Sequence, residues 1–227
     1  MSVDVALRCE VLGPLVMSGS GGPIALPRGR AAALVCWLAL RQGQAVAPRA
    51  LAELLWPSVL EGAQGPGDHL GALGALASRV RAALGGPYPA GQGLVLDKAG
   101  YRLVLEPGAL DAAAFEHLVS DGLRRGTSER DGSAAESLSA ALALWRGEPY
   151  AELALHPLAL VEVTRLRLLH MAATEELNGI RLAGPVDYQL VADLEAMTWR
   201  HPERERLWRQ LALALYRSGR QVEALRV

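Results

Sequence analysis

Three apolar-patterned segments followed by a tight hairpin constrain the fold of this chain more than any other feature. Apolar residues recur at helical spacing over Ala31–Leu40, Arg49–Trp56 and His69–Leu84. Short apolar runs then flank the turn at Ala99-Gly100, which is typical of a β-hairpin. Polarity alternates over Val5–Met17, which predicts an opening strand that Gly13-Pro14 interrupts. We therefore expect an α+β domain with a small opening sheet, three helices and a two-stranded wing.

The third helix has the clearest start. Asp68 is a natural N-cap, because its carboxylate can accept hydrogen bonds from the first-turn amides. Gly85–Pro87 is expected to end the helix. Six apolar residues at helical spacing are predicted to form its buried stripe: Leu70, Leu73, Leu76, Ala77, Val80 and Leu84. The opposite face carries mostly Gly and Ala.

The second half of the chain is predicted to be helical throughout. The expected helices are Ala112–Arg125, Ala134–Trp145, Leu158–Leu182, Val186–Arg200, Glu203–Arg217 and a partial one from Gln221. The turns at Gly184 and Gly219 lie 35 residues apart in similar surroundings, a spacing typical of tetratricopeptide-like hairpins. We therefore predict a mainly α protein, with a winged-helix domain at residues 1–108 and a tetratricopeptide-like domain at residues 109–227.

The charge distribution separates the two halves. Residues 1–105 carry a net charge of +3 and residues 106–227 a net charge of −4. This asymmetry favours contact of the first half with a polyanion. Cys9 and Cys36 stand alone in apolar runs, which predicts reduced core thiols. With neither a signal peptide nor an apolar run long enough to span a bilayer, we expect a cytoplasmic protein without membrane contact.

Enzymatic chemistry finds no support in the sequence. The glycine-rich stretch Gly62–Gly74 has no lysine, which argues against a phosphate-binding loop. The five histidines are scattered without metal-ligand spacing, and no nucleophile elbow is present. We therefore expect no catalytic residues, no metal and no cofactor.

DNA contact is the hypothesis that the arginine pattern favours. Ser78, Arg79 and Arg81 lie on or beside the outward face of the third helix, where they could reach base edges or phosphates. Four further cations are expected to flank that helix and contact phosphates: Arg28, Arg30, Lys98 and Arg102. For about four to six neutralised phosphates, log K should fall with log salt at a slope of about −4 to −5. The alternative is that Arg79 and Arg81 are ordinary solvated surface residues.

Several runs of the chain resemble the Streptomyces antibiotic regulatory protein family and its bacterial transcriptional activation domain. In the first half these runs are Val11–Leu15, Pro27–Ala31, Val46–Trp56, Ser78–Leu84 and Gly100–Leu103, and in the second half Ala141–Gly147 and Leu213–Leu225. The resemblance covers nearly the whole chain. It implies a response-regulator-type winged helix followed by tetratricopeptide-like helices.

The same resemblance implies a function and partners. Members of that family activate transcription of secondary-metabolite gene clusters by binding direct repeats near promoters, usually as side-by-side dimers. They recruit RNA polymerase through its sigma factor and other subunits. The expected partners are therefore double-stranded DNA, RNA polymerase with its sigma factor, and a second copy of the chain.

Some positions depart from the family pattern and leave other hypotheses open. Gly74, Ala75 and Leu76 stand where polar residues usually precede the Ser-Arg pair, and Ala82 replaces a second arginine. The loop Pro57–Gly67 is also a few residues longer than usual. A degenerate protein-interaction scaffold with weak or no DNA binding is the main alternative, and small-molecule sensing in the helical groove is a third. The last hairpin, which stops at Val227, is expected to be incomplete.

Overall fold

The computed structural model describes residues 7–57, 68–85, 91–126, 132–153 and 156–227. Its strands are β1 (Arg8–Glu10), β2 (Val16–Gly19), β3 (Gly22–Ile24), β4 (Gly93–Asp97) and β5 (Gly100–Val104). Its helices are α1 (Arg30–Leu40), α2 (Pro48–Leu55), α3 (His69–Leu84), α4 (Asp111–Gly126), α5 (Ser133–Ala143), α6 (Pro157–Ala183), α7 (Tyr188–Arg200), α8 (Glu205–Arg217) and α9 (Gln221–Ala224). The expected loop residues 58–67, the helix end at residues 86–87 and the start of the first strand lie outside the described residues.

The chain forms two compact units. The amino-terminal unit comprises Met1–Phe115 and Leu144–Leu166, and the carboxy-terminal unit comprises Glu116–Ala143 and Arg167–Val227. Residues 144–166 therefore group with the strands and helices of the first half. The predicted domain boundary between residues 108 and 109 stays a prediction.

The opening sheet is antiparallel, in the order β1-β2-β3. Cys9 pairs with Met17, which pairs in turn with Ile24. Cys9 and Met17 are fully buried, because alternate residues of a strand point to the same face. The pairing stops between Glu10 and Val16, around the interruption that the sequence predicts at Gly13-Pro14.

The interruption has a physical cause in the hydrogen bonds of the segment Val11–Leu15. The amides of Val11 and Leu12 donate to the two carboxylate oxygens of Asp111, at 2.7 and 2.9 Å. The carbonyl of Val11 accepts from Tyr150 N, and the carbonyl of Leu12 accepts from Arg146 N, both at 2.7 Å. Buried backbone groups need partners, and distant side chains and amides supply them here in place of a neighbouring strand.

Helices α1 to α3 form the core of the amino-terminal unit. Fully buried residues include Leu34 and Leu38 of α1, Leu51 of α2, and Leu73 and Ala77 of α3. The bounds of α1 and α3 agree with the predicted segments to within one residue. The observed N-cap of α3 is the predicted one, because Asp68 accepts a 2.7 Å hydrogen bond from Gly71 N.

One member of the predicted α3 stripe is misplaced. Leu70 is 55% exposed, whereas the stripe from Leu73 to Leu84 is buried. Leu70 belongs to the first turn of α3, and no described residue covers that turn closely enough to bury it. Helical spacing gives the direction of a side chain but not what lies opposite it.

The wing is attached to the rest of the amino-terminal unit by its backbone. In the β4–β5 hairpin Leu94 pairs with Leu103, and the turn at its tip carries Lys98. The amide and carbonyl of Tyr101 exchange hydrogen bonds of 2.9 and 2.8 Å with Val46, which precedes α2. Gly100 makes this approach possible, since a Cβ there would collide with the carbonyl of Val46 and its φ is +133°.

The carboxy-terminal unit is built from antiparallel helices. Leu190 and Leu194 of α7 pack with Leu207 and Leu211 of α8 in one buried cluster. The α6 and α8 helices are joined by hydrogen bonds from Gln210 Nε2 to the Glu175 carbonyl and from Arg217 to the Leu182 carbonyl. In each pair the partners are 35 residues apart, the spacing found between the two turn motifs. The helix pairs therefore stack at the predicted repeat length.

The predicted fold class is confirmed, with an amino-terminal winged helix followed by a helical domain. Two helices begin slightly later than predicted, α7 at Tyr188 and α8 at Glu205. The later start of α7 follows from its cap, because Asp187 accepts a hydrogen bond from Leu190 N. Cys9 and Cys36 are buried free thiols. Among the described residues, every helix is too short or too polar to traverse a lipid bilayer.

Replacing Gly100 by alanine should separate the wing from the helices. We expect Gly100→Ala to lower the free energy of unfolding by about 3 kcal/mol, through collision with the Val46 carbonyl and an unfavourable φ. Gly108→Ala is the matched control, because Gly108 also has a positive φ of 79° but open space around it, and should lose about 1 kcal/mol. Urea unfolding measures both. Equal losses in the two variants would show that the close contact between Gly100 and the Val46 carbonyl does not contribute to stability.

His170 should make the stability of the protein sensitive to mild acid. Burial, followed by repulsion from His201, lowers the pKa of His170, so its contribution is present above the unfolded-state pKa of about 6.5 and is lost as pH falls through the folded-state value. Between pH 7.5 and 5.5 the wild type should therefore lose more stability than His170→Gln. Urea unfolding at both pH values measures the two slopes, and identical slopes would contradict the assignment.

Candidate nucleic-acid interface

The candidate interface starts from the outward face of α3. The inner stripe of this helix, from Leu73 to Leu84, is buried, which leaves the opposite face to solvent. That face contains Ser78, Arg79 and Ala82, all exposed. Small residues precede them, and one of these, Gly71, leaves room for the capping carboxylate of Asp68. The exposed polar groups of α3 are therefore concentrated in its second half.

Ser78 and Arg79 are uncommitted within the described part of the chain. Both are exposed, and neither forms a hydrogen bond or ion pair with another described residue. An arginine in this state can direct its planar guanidinium, with five N–H donors, toward a base edge or a phosphate. These two residues have the properties that the sequence-based hypothesis requires.

Arg81 is instead tied to the wing. Its Nε donates a 2.9 Å hydrogen bond to the carbonyl of Leu94, and its guanidinium lies 5.8 Å from the ring centroid of Tyr101. These contacts join the last turn of α3 to both strands of the hairpin. Arg81 therefore orients the wing, with only its terminal nitrogens left for a ligand.

The wing presents one uncommitted cation and one paired cation. Lys98 is exposed in the turn at the hairpin tip, where Asp97 Oδ1 accepts a 2.8 Å hydrogen bond from Ala99 N. Arg102 forms an ion pair with Asp97 across the hairpin, with 2.9 Å between Nη2 and Oδ2. An ion pair at this half-exposed position is worth at most about 1 kcal/mol, so a phosphate could compete for Arg102.

The turn before α1 likewise has one cation without a described partner and leads to one that is engaged. Arg28 is exposed and has no partner among the described residues. Arg30 donates from Nε to the carbonyl of Leu55 at 3.2 Å, and its guanidinium lies 5.3 Å from the ring of Trp56. Arg30 therefore holds the first turn of α1 against the end of α2.

The structure thus places all seven predicted residues on one compact unit but in two states. Arg28, Ser78, Arg79 and Lys98 are free to bind, whereas Arg30, Arg81 and Arg102 each have an intramolecular partner. The sequence reasoning missed the partners Trp56, Tyr101 and Asp97. The hairpin pattern that places Asp97 opposite Gly100 could have revealed the Asp97–Arg102 proximity, whereas the two cation–π contacts join different elements and leave no local signal.

No metal or thiol chemistry is evident at this surface. Across the described ranges, no three His, Cys, Asp or Glu residues are grouped as a metal site would require. Burial raises the pKa of both Cys9 and Cys36 well above the normal thiol value, which keeps them protonated and unreactive. The chemistry available at the surface is therefore the donation of hydrogen bonds and positive charge.

Comparisons with known proteins agree with this architecture. The model of the bacterial transcriptional activator domain matches residues 110–227. The chain is 32% identical to regulatory protein DnrI of Streptomyces peucetius, over 96% of this chain and 81% of that protein. It is 35% identical to regulatory protein AfsR of Streptomyces coelicolor, over 98% of this chain. It spans only 21% of the length of AfsR.

A solved structure supports the same relationship. The structure of Mycobacterium tuberculosis EmbR in complex with a low-affinity phosphopeptide superposes with a TM-score of 0.78 and 30% sequence identity. The match covers 97% of this chain and 57% of that one. The fold is thus that of a winged-helix transcriptional regulator with a helical second half. The chain belongs to the Streptomyces antibiotic regulatory protein family, whose relatives named above are regulatory proteins.

The two arginines of α3 should differ in their effect on stability. Arg81→Ala removes the hydrogen bond to Leu94 and the contact with Tyr101, and we expect a loss of about 1–2 kcal/mol in the free energy of unfolding. Arg79→Ala, an exposed control two residues away, should change it by less than about 0.5 kcal/mol. Urea unfolding at neutral pH compares them. If Arg79→Ala proves the more destabilising variant, the division into free and engaged cations is wrong.

Proposed function

We propose that the protein is a DNA-binding transcriptional activator whose α3 helix enters the major groove. The single observation that carries this proposal is the exposed Ser78-Arg79 pair, without described partners, on a helix whose opposite face is buried from Leu73 to Leu84. A helix of this kind can lie in the groove and direct its polar residues toward base edges. The chain has both required features, a rigid inner face and a free outer one.

The cations without a described intramolecular partner are proposed to make two kinds of DNA contact, to base edges and to phosphates. Arg79, with Ser78 beside it, reads base edges, whereas Arg28 and Lys98 neutralise phosphates on either side of the groove. Arg30, Arg81 and Arg102 position the elements that carry these groups. Since two cations neutralise phosphates in this arrangement, we expect a salt slope of about −2, shallower than the sequence alone implied.

The wider role is proposed from family membership. We infer that the protein binds direct repeats near promoters of a secondary-metabolite cluster, with two copies side by side. We also infer that it recruits RNA polymerase through its sigma factor. Support comes from the match to a bacterial transcriptional activator domain over residues 110–227. In vitro transcription from a cognate promoter tests the second step, and a factor that binds the repeats without raising transcript yield would contradict it.

DNA binding is best tested by fluorescence anisotropy with labelled duplexes at several salt concentrations. The wild type should bind with a log–log salt slope of about −2. Lys98→Ala should weaken binding to every duplex alike and reduce the magnitude of the slope by about 1. Arg79→Ala should weaken binding to the preferred repeat by about 5- to 150-fold, because a bidentate arginine contributes about 1–3 kcal/mol of discrimination.

A matched control separates these effects from a change in overall charge. Arg209 of α8 is exposed and forms only a surface ion pair with Glu205. Arg209→Ala removes the same unit of charge from the carboxy-terminal unit and should leave DNA affinity unchanged. Equal losses for Arg79→Ala and Arg209→Ala would reduce the interaction to non-specific attraction and contradict the proposed groove contact.

A scaffold function remains the second proposal, motivated by the small residues Gly74 and Ala75 on the same face of α3. They leave half of the helix without groups that can discriminate bases. Under this proposal, binding to any duplex is absent at about 0.1 M salt, and a polymerase subunit binds with an affinity that Arg79→Ala does not alter. The anisotropy titration thus distinguishes the two functions directly.

A further inference from the structure

A cleft of the amino-terminal unit lies beside the first turn of α1. It encloses about 600 Å³ between α1, the end of α2 and the turn at Ala151–Leu153. This volume falls within the range of about 300–1,000 Å³ that small-molecule sites usually have. The walls are mainly apolar, from Ala33 and Trp37 on one side and Leu54, Leu55 and Leu153 on the others.

An aromatic pair gives one wall of the cleft a fixed geometry. The ring of His156 meets that of Trp37 edge-on, with 4.7 Å between centroids and an interplanar angle of 85°. His156 Nδ1 accepts a hydrogen bond from Leu158 N at 3.3 Å, which leaves Nε2 as the remaining polar atom of the imidazole. Such a wall suits a flat aromatic ligand, since rings pack well edge-to-face.

Arg30 supplies the positive charge of the cleft. Its Nε is bound to the Leu55 carbonyl, and Trp56 holds its guanidinium plane. The two terminal nitrogens have no acceptor within the described part of the chain. The guanidinium is therefore pre-oriented, and its unsatisfied donors can receive a carboxylate or sulfonate.

Glu152, the carboxylate among the described residues of the wall, already accepts hydrogen bonds from the protein. Glu152 Oε1 accepts from Leu15 N at 2.7 Å, and Glu152 Oε2 accepts from the Cys36 thiol at 3.5 Å. Both oxygens are thus directed at protein donors, whereas the donors of Arg30 are not satisfied. This asymmetry favours a ligand with a negative group over one with a positive group.

We propose that this cleft binds a small aromatic acid, with its rings against Trp37 and His156 and its anionic group on Arg30. Small-molecule sensing in the groove of the helical domain was the third and least favoured alternative from sequence, and this site is a different one, in the winged-helix unit. An anion on Arg30 also offsets positive charge next to Arg28, which is proposed to neutralise a phosphate. Resting on the proposed DNA binding, this coupling should lower DNA affinity by about fivefold at saturation.

The probe for the test is 8-anilinonaphthalene-1-sulfonate, an aromatic sulfonate that fluoresces in apolar surroundings. N-phenyl-1-naphthylamine, which has a similar ring system without the charge, is the neutral counterpart. The sulfonate should bind the full-length wild type with a stoichiometry of one, and about tenfold more tightly than the neutral probe. Arg30→Gln should weaken sulfonate binding about tenfold and leave the neutral probe unaffected.

Two further variants make the result decisive. Ala33→Phe fills the cleft and should abolish binding of both probes, and Arg49→Gln removes a charge of α2 outside the cleft and should alter neither. Thermal unfolding verifies that each variant is folded. Undiminished sulfonate binding to folded Ala33→Phe, or equal losses for Arg30→Gln and Arg49→Gln, would overturn the site.

The coupling to DNA is read separately, by gel shift with and without a saturating concentration of the sulfonate. A loss of DNA affinity in the wild type that is absent in Ala33→Phe supports the coupling, and an equal effect in both contradicts it. Absence of any DNA binding would refute the proposed function, whereas the probe titrations would still decide whether the cleft is a binding site.

Discussion

The amino-terminal unit depends on the hydrogen bonds that the segment Val11–Leu15 forms with distant residues. Asp111, at the start of α4, accepts hydrogen bonds from two backbone amides of this segment. The backbone amides of Arg146 and Tyr150 donate to two carbonyls of the same segment. Burial raises the pKa of Asp111, and it outweighs the backbone hydrogen bonds to the carboxylate, which lower that pKa. Asp111, Arg146 and Tyr150 all lie inside the stretch that matches the activator-domain family. The winged-helix unit is therefore completed by residues of the second half of the chain.

Arginine has two separate roles in this molecule, and its surroundings decide which one applies. Arg81 and Arg30 each hydrogen-bond a carbonyl and lie over an aromatic ring, so they fasten one element to another. Arg79 and Arg28 have no described partner and remain available to a nucleic acid. Because nearly all of the basic residues are arginine, residue type alone does not separate the roles.

The proposed cleft connects these roles at a single residue. Arg30 lines the cleft, joins α1 to the end of α2 by a hydrogen bond, and lies two residues from the exposed Arg28. A ligand that engages its terminal nitrogens would add negative charge near Arg28 without unfolding any element. Such coupling requires only that this charge weaken the attraction between Arg28 and a phosphate, so a larger conformational change is unnecessary.

The sequence by itself determined the features that depend on local periodicity. The bounds of α1 and α3, the Asp68 cap and the 35-residue spacing of the helix pairs were all predictable, because a helix repeats every 3.6 residues and a cap acts within one turn. Only the tertiary structure decided the hydrogen-bond partners of Val11 and Leu12 and the engagement of Arg81. Each rests on contacts between separate elements, about 100 residues apart for Asp111 and Val11, and such contacts leave no periodic trace in the chain.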